Sequence, residues 1–150
     1  MDYQKILIAI DNSSPALKAA KAGISLAKKV SAEIALVYVL DSILMMGNID
    51  ANVTPREAKI LVMKVAQTAL DETESLCNGQ MKVHRFMPEG RPTEEILNIA
   101  YNWGADLVVA GTHGHTGLQH FLTSSVADYL IRHSKVPVMI IPSRVPDANP

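Results

Sequence analysis

Glycine, histidine and serine residues suited to binding an anion are concentrated in one segment of the sequence. The heptapeptide GTHGHTG spans residues 111–117, and Ser124, Ser125 and Val126 follow after six further residues at the start of a helical pattern. Glycines three residues apart let backbone N–H groups approach a ligand without an intervening Cβ. A helix start adds unpaired N–H groups and the positive end of its dipole. The segment therefore favours an anion site, most naturally for a phosphate.

The same residues allow other interpretations. The loop could merely turn the chain, with Ser124 or Ser125 as an ordinary helix N-cap. His113, His115 and His120 lie close together, but no carboxylate or thiol is spaced to complete a zinc site, so we predict no metal site. His120 and Ser124 have the spacing of a Ser–His pair without a third group to orient the histidine. We therefore predict no catalytic residues.

Strand and helix patterns alternate along the chain. Predicted strands cover residues 6–10, 34–40, 81–87, 107–110 and 136–141. Predicted helices cover residues 15–29, residues 55–77, a segment that begins at Pro92, and residues 124–133. The helix over 55–77 is indicated by apolar residues at positions 58, 61, 62, 65 and 69. Strands alternating with helices are typical of βαβ units, and strands apolar at nearly every position fit a sheet covered on both faces. We predict one doubly wound α/β domain with a five-stranded, mainly parallel sheet and helices on both faces.

The strand ends show where a ligand would bind, because doubly wound sheets bind ligands beyond the carboxyl ends of their strands. Asp11 follows the first strand, Val39 lies at the end of the second, and Gly111 closes the fourth. Asp11 could act as a general base, but an aspartate in this place more often fixes a turn or a ribose.

Composition excludes several classes of protein. The 150 residues weigh 16.3 kDa, the size of one domain, and 14 Lys and Arg against 15 Asp and Glu give a formal net charge of −1. This balance lacks the basic footprint of a nucleic-acid binder, so we predict no nucleic-acid partner. The apolar runs are too short to span a membrane and no signal peptide is visible, so we expect a cytoplasmic protein without a membrane partner. Cys77 is the only cysteine, which excludes an internal disulfide.

Five stretches of the sequence resemble the universal stress protein family over nearly the whole chain. They are KILIAIDNS (5–13), IALVYVLD (34–41), the Gly-Arg-Pro turn (90–92), ADLVVAGTHGHTG (105–117) and VPVMIIP (136–142). The resemblance implies the strand order 3-2-1-4-5 and a site for ATP or AMP. It implies that Asp11 holds the ribose, that the backbone of Val39 meets the adenine and that Gly111 lines the ribose. The residues that it implies for the phosphates are Gly114, Ser125 and Val126.

The family's nucleotide motif, Gly-x2-Gly-x9-Gly-[Ser/Thr], is met at Gly111, Gly114 and Ser125, but Ser124 stands where the third glycine belongs. Its side chain could crowd the phosphates or supply one more hydroxyl donor. We include His113 among the binding candidates because residues 111–131 contain no Lys or Arg. Mg²⁺ or protonated histidine would have to balance the charge of a triphosphate.

Three functions are compatible with this sequence. The leading one is a cytoplasmic stress-response module that holds an adenine nucleotide and forms homodimers through the last strand, residues 136–141, as the resemblance implies. The second is a family member that binds no nucleotide and works through protein contacts, and the third is a slow ATP hydrolase. In each case we expect the domain to cover residues 1–142 and the proline-containing residues 143–150 to form a flexible tail.

Overall fold

The apolar run near the start of the chain forms the central strand of a parallel sheet. The protein is described by a computed structural model that covers residues 2–112 and 125–144. Its strands are β1 (Lys5–Ala9), β2 (Glu33–Val37), β3 (Leu40–Asp41), β4 (Val83–Phe86), β5 (Glu89–Gly90), β6 (Leu107–Gly111) and β7 (Val138–Ile141). Its helices are α1 (Ser14–Val30), α2 (Pro55–Ser75), α3 (Pro92–Trp103) and α4 (Ser125–His133), with a 3-10 helix at Leu44–Met46. The predicted tail lies mostly outside these residues, so its flexibility stays a prediction.

The main sheet has the order β4-β2-β1-β6-β7, and all its neighbouring strands are parallel. Among the five strands predicted from the sequence, this is the order 3-2-1-4-5. The predicted fold class is therefore confirmed. In the register of the sheet, Ile6 of β1 lies opposite Ile34 of β2 and Leu107 of β6.

Helices cover both faces of this sheet. Ile6 and Ile8 of β1 join a core with buried residues of α1 and α2, whereas Leu7 joins a second core with buried residues of α3 and α4. Successive side chains of a strand point to opposite faces, so a strand in the middle of this sheet must be apolar at every position. In the described part of the chain, no helix is both long enough and apolar enough to cross a membrane.

Local capping fixes where two of the helices begin. The hydroxyl of Ser13 accepts a hydrogen bond from the N–H of Ala16 at 3.2 Å, and Pro15 occupies the first turn of α1. Thr54 caps α2 in the same way by accepting from the N–H of Glu57 at 3.2 Å. The start of α1 is thereby held directly after β1.

The structure corrects several predicted boundaries. The second strand ends at Val37 instead of residue 40, and the chain continues as β3, which pairs with β5 and not with the main sheet. The last strand begins at Val138 instead of residue 136, after Pro137, which has no N–H to donate to a ladder. Leu61 and Val65, part of the spacing that predicted α2, are exposed because the helix turns Ala66 and Ala69 towards the core.

A cluster of charges joins three strands at the amino-terminal end of the sheet. The carboxylate of Glu33 lies 3.6 Å from the Nζ of Lys5, 3.6 Å from the Nζ of Lys82 and 3.5 Å from the Nε2 of His84. Burial opposes ionisation of Glu33, but His84 and the two lysines outweigh it and hold the pKa of this carboxyl below its usual 4.5. Ionised Glu33 therefore stabilises the fold.

We expect Glu33→Gln to lower the free energy of unfolding at pH 7 by a few tenths to about 1 kcal/mol, the scale of a partly exposed ion pair. A carboxyl with a lowered pKa stabilises the fold above the pKa of the unfolded chain, and this contribution is lost as the pH falls through the folded-state pKa. Urea unfolding at pH 7 and about pH 3.5 should show the difference shrinking at the lower pH. Glu72→Gln, an exposed carboxyl on α2, is the control, and a pH-independent effect of Glu33→Gln would contradict this explanation.

Candidate functional site

Three chain segments converge at the carboxyl ends of the central strands. The N–H of Ile10, just after β1, donates to the carbonyl of Val37 at the end of β2 at 2.9 Å. The N–H of Thr112, just after β6, donates to the carbonyl of Ile141 at 3.3 Å. The ends of β1, β2 and β6 therefore lie side by side, and α1 begins at the same edge. A ligand bound here would meet all of them.

Asp11 organises the turn between β1 and α1. One of its carboxylate oxygens, Oδ1, accepts a hydrogen bond from the N–H of Ser13 at 2.8 Å, and Ser13 then caps the helix. Asp11 is partly exposed. Burial raises the pKa of the neighbouring Tyr38 phenol above its usual 10.0, and the negative charge of Asp11 raises it further. Asp11 could be named from its place after the first strand, whereas a tyrosine within an apolar run, such as Tyr38, gives no local sign that it will lie beside this carboxylate.

The backbone N–H and C=O of Val39 face the side on which β1 ends. The N–H groups of Tyr38 and Leu40 donate to the carbonyls of Phe86 and Pro88 at 3.0 and 2.8 Å, on the side of β4 and β5. Because successive residues of an extended chain direct their N–H and C=O groups to opposite sides, those of Val39 face the side of β1. No other described residue hydrogen-bonds to them. They present one donor and one acceptor where β1 has already ended.

Packing explains the glycine at position 111. A Cβ at this position would lie 3.0 Å from the carbonyl oxygen of Pro15 and 3.3 Å from its carbonyl carbon. Glycine thus lets the end of β6 approach the first turn of α1. This contact could not be predicted from the sequence, because Pro15 is distant from Gly111 along the chain.

The start of α4 supplies the fourth part of the candidate site. The helix begins at Ser125, and Val126 is half-buried against the core under α3 and α4. Asp128 in its first turn pairs with Arg132 at 3.0 Å. The candidates His113, Gly114 and Ser124 lie outside the described residues, so their contribution stays a prediction. Within residues 2–112 and 125–144, no group of three or more His, Cys, Asp and Glu side chains is arranged to hold a metal ion.

Comparison with known families decides the relationship of the chain. The model of the universal stress protein family matches residues 2–142. The chain belongs to this family. The resemblance stated from its sequence motifs is therefore confirmed.

Individual universal stress proteins agree with this assignment. Universal stress protein MJ0531 of Methanocaldococcus jannaschii is 36% identical over 140 residues, which are 93% of this chain and 82% of that protein. The structure of MJ0577 from the same organism superposes with a TM-score of 0.82 at 28% identity and covers 95% of this chain and 97% of the other. The universal stress protein of Archaeoglobus fulgidus, solved in complex with dAMP, has a TM-score of 0.65 at 18% identity, covers 94% and 99% of the two chains, and shares the fold.

Proposed function

We propose that this universal stress protein binds an adenine nucleotide, ATP or AMP, at the carboxyl ends of β1, β2 and β6. The backbone of Val39 carries the proposal. The N–H donor and the C=O acceptor of this one residue lie side by side in an extended chain. They suit the edge of an adenine ring, which also presents a donor beside an acceptor. Backbone groups of this kind fix a base without depending on a side chain.

The remaining residues fit the rest of a nucleotide. Asp11 lies at the adjoining strand end, where its carboxylate would accept hydrogen bonds from ribose hydroxyls. Gly111 ends β6, which pairs with β1 on the side away from β2, and would lie beside the ribose. The phosphates would extend towards the first turn of α4, at Ser125 and Val126, where the helix dipole favours negative charge.

The loop before α4 would complete phosphate binding. His113, Gly114 and Ser124 are the residues that we assign to it from the sequence, with Mg²⁺ accompanying a triphosphate. The dAMP complex of the Archaeoglobus fulgidus protein supports nucleotide binding at the level of the fold, since a protein with the same architecture accommodates an adenine nucleotide. We propose that the protein is a binding module with a regulatory role. The nucleotide-bound protein and the empty protein would then act differently.

Thermal melting gives the first test of this function. A ligand at one hundred times its dissociation constant stabilises the folded state by about 2.7 kcal/mol, which raises the melting temperature of a chain of this size by roughly 5–10 °C. We expect shifts of this size with AMP and with Mg²⁺–ATP, and none with Mg²⁺ alone. Unchanged melting in millimolar concentrations of both nucleotides would favour a family member that works through protein contacts only.

We further propose that the protein forms a homodimer through residues 136–141. β7 is an edge strand of the main sheet, and its residues Val138–Ile141 are only half-buried. An apolar edge strand invites pairing, and a two-fold axis would let two copies pair the same strand.

Replacement of Ile140 by lysine should weaken this dimer. Ile140 is half-buried and lines a groove with Ile131, so a charge there is costly when a partner copy covers this groove. Sedimentation of wild-type protein at tens of micromolar should show self-association that Ile140→Lys weakens. Val30→Lys, on an exposed aliphatic residue of α1, is the control. A monomeric wild type would exclude this pairing.

A further inference from the structure

The outward face of α2 carries an apolar centre with a charge on each side. Ile60 and Leu61 are 57% and 58% exposed, and Glu57 and Lys64 before and after them are also exposed. Residues spaced i, i+3, i+4 and i+7 share one face of a helix, and we call these four residues the α2 stripe. The core does not require them, because α2 buries another face. That face consists of Ala58, Ala66, Ala69, Leu70 and Thr73.

The neighbour of α2 in the fold also exposes apolar side chains. The 3-10 helix packs against α2. It and the residues beside it expose further large aliphatic side chains, namely Ile43, Leu44, Met46 and Ile49. Large exposed apolar side chains are therefore concentrated between residues 43 and 65. Exposed apolar side chains grouped in this way mark an interaction site.

The charges of this surface identify its partner. Residues 42–65 contain two acidic and three basic side chains, which are Asp50, Glu57, Arg56, Lys59 and Lys64. This mixture lacks the excess of basic residues that a nucleic acid or an anionic membrane requires. In the α2 stripe the acidic residue precedes the apolar pair and the basic residue follows it. A stripe with this order complements itself when a second one runs antiparallel to it.

We propose that a second copy of this chain docks on this surface, with the two α2 helices antiparallel across a two-fold axis at Ile60 and Leu61. Glu57 of each copy then lies opposite Lys64 of the other, and the four aliphatic side chains pack in the centre. The contact is isologous, so both copies use the same residues.

This surface is separate from the proposed strand pairing. α2 contacts β3, on the β2 and β4 side of the sheet, whereas β7 forms the opposite edge. A chain that uses both surfaces has two different two-fold contacts and assembles beyond a dimer. Failure of either the nucleotide proposal or the β7 proposal leaves this one intact.

Cysteine cross-linking in the full chain tests the antiparallel arrangement. Two Ile60→Cys residues would meet at the axis, within the Cα separation that a disulfide spans. Two Gln67→Cys residues, on an exposed position two turns further along, would lie about 20 Å apart at 1.5 Å per residue. Cys77 is buried, which raises the pKa of its thiol and slows its oxidation. It is present in both variants and in the wild-type control, so it does not distinguish them. We expect a covalent dimer under mild oxidation from Ile60→Cys only.

Charge reversal gives a second, independent readout, measured by sedimentation in the Ile140→Lys background to remove the strand pairing. Lys64→Glu places two pairs of like charges in contact and should raise the dissociation constant of the dimer about tenfold. Adding Glu57→Lys restores opposite charges and should return it to near the starting value. Equal cross-linking at both cysteine positions, cross-linking at neither, or no recovery in the double variant would overturn the proposal. Binding of wild-type protein to neutral phosphatidylcholine vesicles without the cross-link would assign the surface to a membrane instead.

Discussion

Gly111→Ala is expected to lower the free energy of unfolding by about 1–3 kcal/mol, the usual cost of an added methyl group in a filled site. The new Cβ would lie 3.0 Å from the carbonyl oxygen of Pro15, and backbone atoms cannot turn aside as the end of a flexible side chain can. Either the first turn of α1 or the end of β6 must move, and both border the candidate site. We therefore also expect weaker nucleotide binding in the fraction that remains folded.

Gly23→Ala is the matched control for this prediction. A Cβ at Gly23 would lie 2.8 Å from the Cδ1 of Ile8, so that change also overfills the core, but at the middle of α1 and against a side chain. Urea unfolding and calorimetric titration should show that Gly23→Ala affects stability without affecting nucleotide affinity. Equal effects of the two variants on affinity would contradict a specific role for the contact between Gly111 and Pro15.

Removal of Mg²⁺ is expected to weaken ATP binding by more than an order of magnitude and AMP binding much less. ATP carries about four negative charges near neutral pH, whereas a helix N-terminus offers about half a positive charge. Residues 111–131 contain no Lys or Arg, and Lys18 on α1 donates to the carbonyl of Ser143 at 3.0 Å. The metal or protonated histidine must balance the rest of the charge.

Titration with and without Mg²⁺ at pH 8 and pH 6 measures this dependence. Histidine titrates near pH 6.5, so metal-free ATP binding should tighten at pH 6. The double variant His113→Ala/His115→Ala should lose this tightening. Strong metal-free ATP binding at pH 8 that the double variant retains would show that another basic group supplies the charge.

Much of the fold could be predicted because its signals are local. The apolar run at residues 6–10 and the helical spacing from residue 15 place β1 and the start of α1 to within one residue. β3 and β5 were not predicted, since strands of two residues are too short to show periodicity. The exposure of Leu61 could not be foreseen either, because apolar spacing indicates a helix but not which of its apolar residues will face the core.

The candidate site could also be predicted only in part. Asp11, Val39 and Gly111 could be named from the ends of apolar runs, because parallel strands bring those ends to one edge. The orientation of the Val39 backbone depends on the pairing of its neighbours with β4 and β5, a contact between segments that are about fifty residues apart. Whether Ser124 crowds a phosphate or donates to it depends on residues that lie outside the described part of the chain.

Calorimetric titration of AMP into wild-type, Asp11→Asn and Asp71→Asn protein tests the proposed nucleotide site most directly. Asparagine at position 11 can still accept the hydrogen bond from the N–H of Ser13 but lacks the charge of the carboxylate. Asp71→Asn is the control, because Asp71 is an exposed carboxylate at the far end of α2, paired with Arg85 at 2.7 Å. We predict one AMP bound per wild-type chain, the same affinity for Asp71→Asn, and an affinity about ten- to one-hundredfold lower for Asp11→Asn, the scale of a hydrogen bond to a charged group. No binding to folded wild-type protein at millimolar AMP, or equal affinities in all three proteins, would contradict the account.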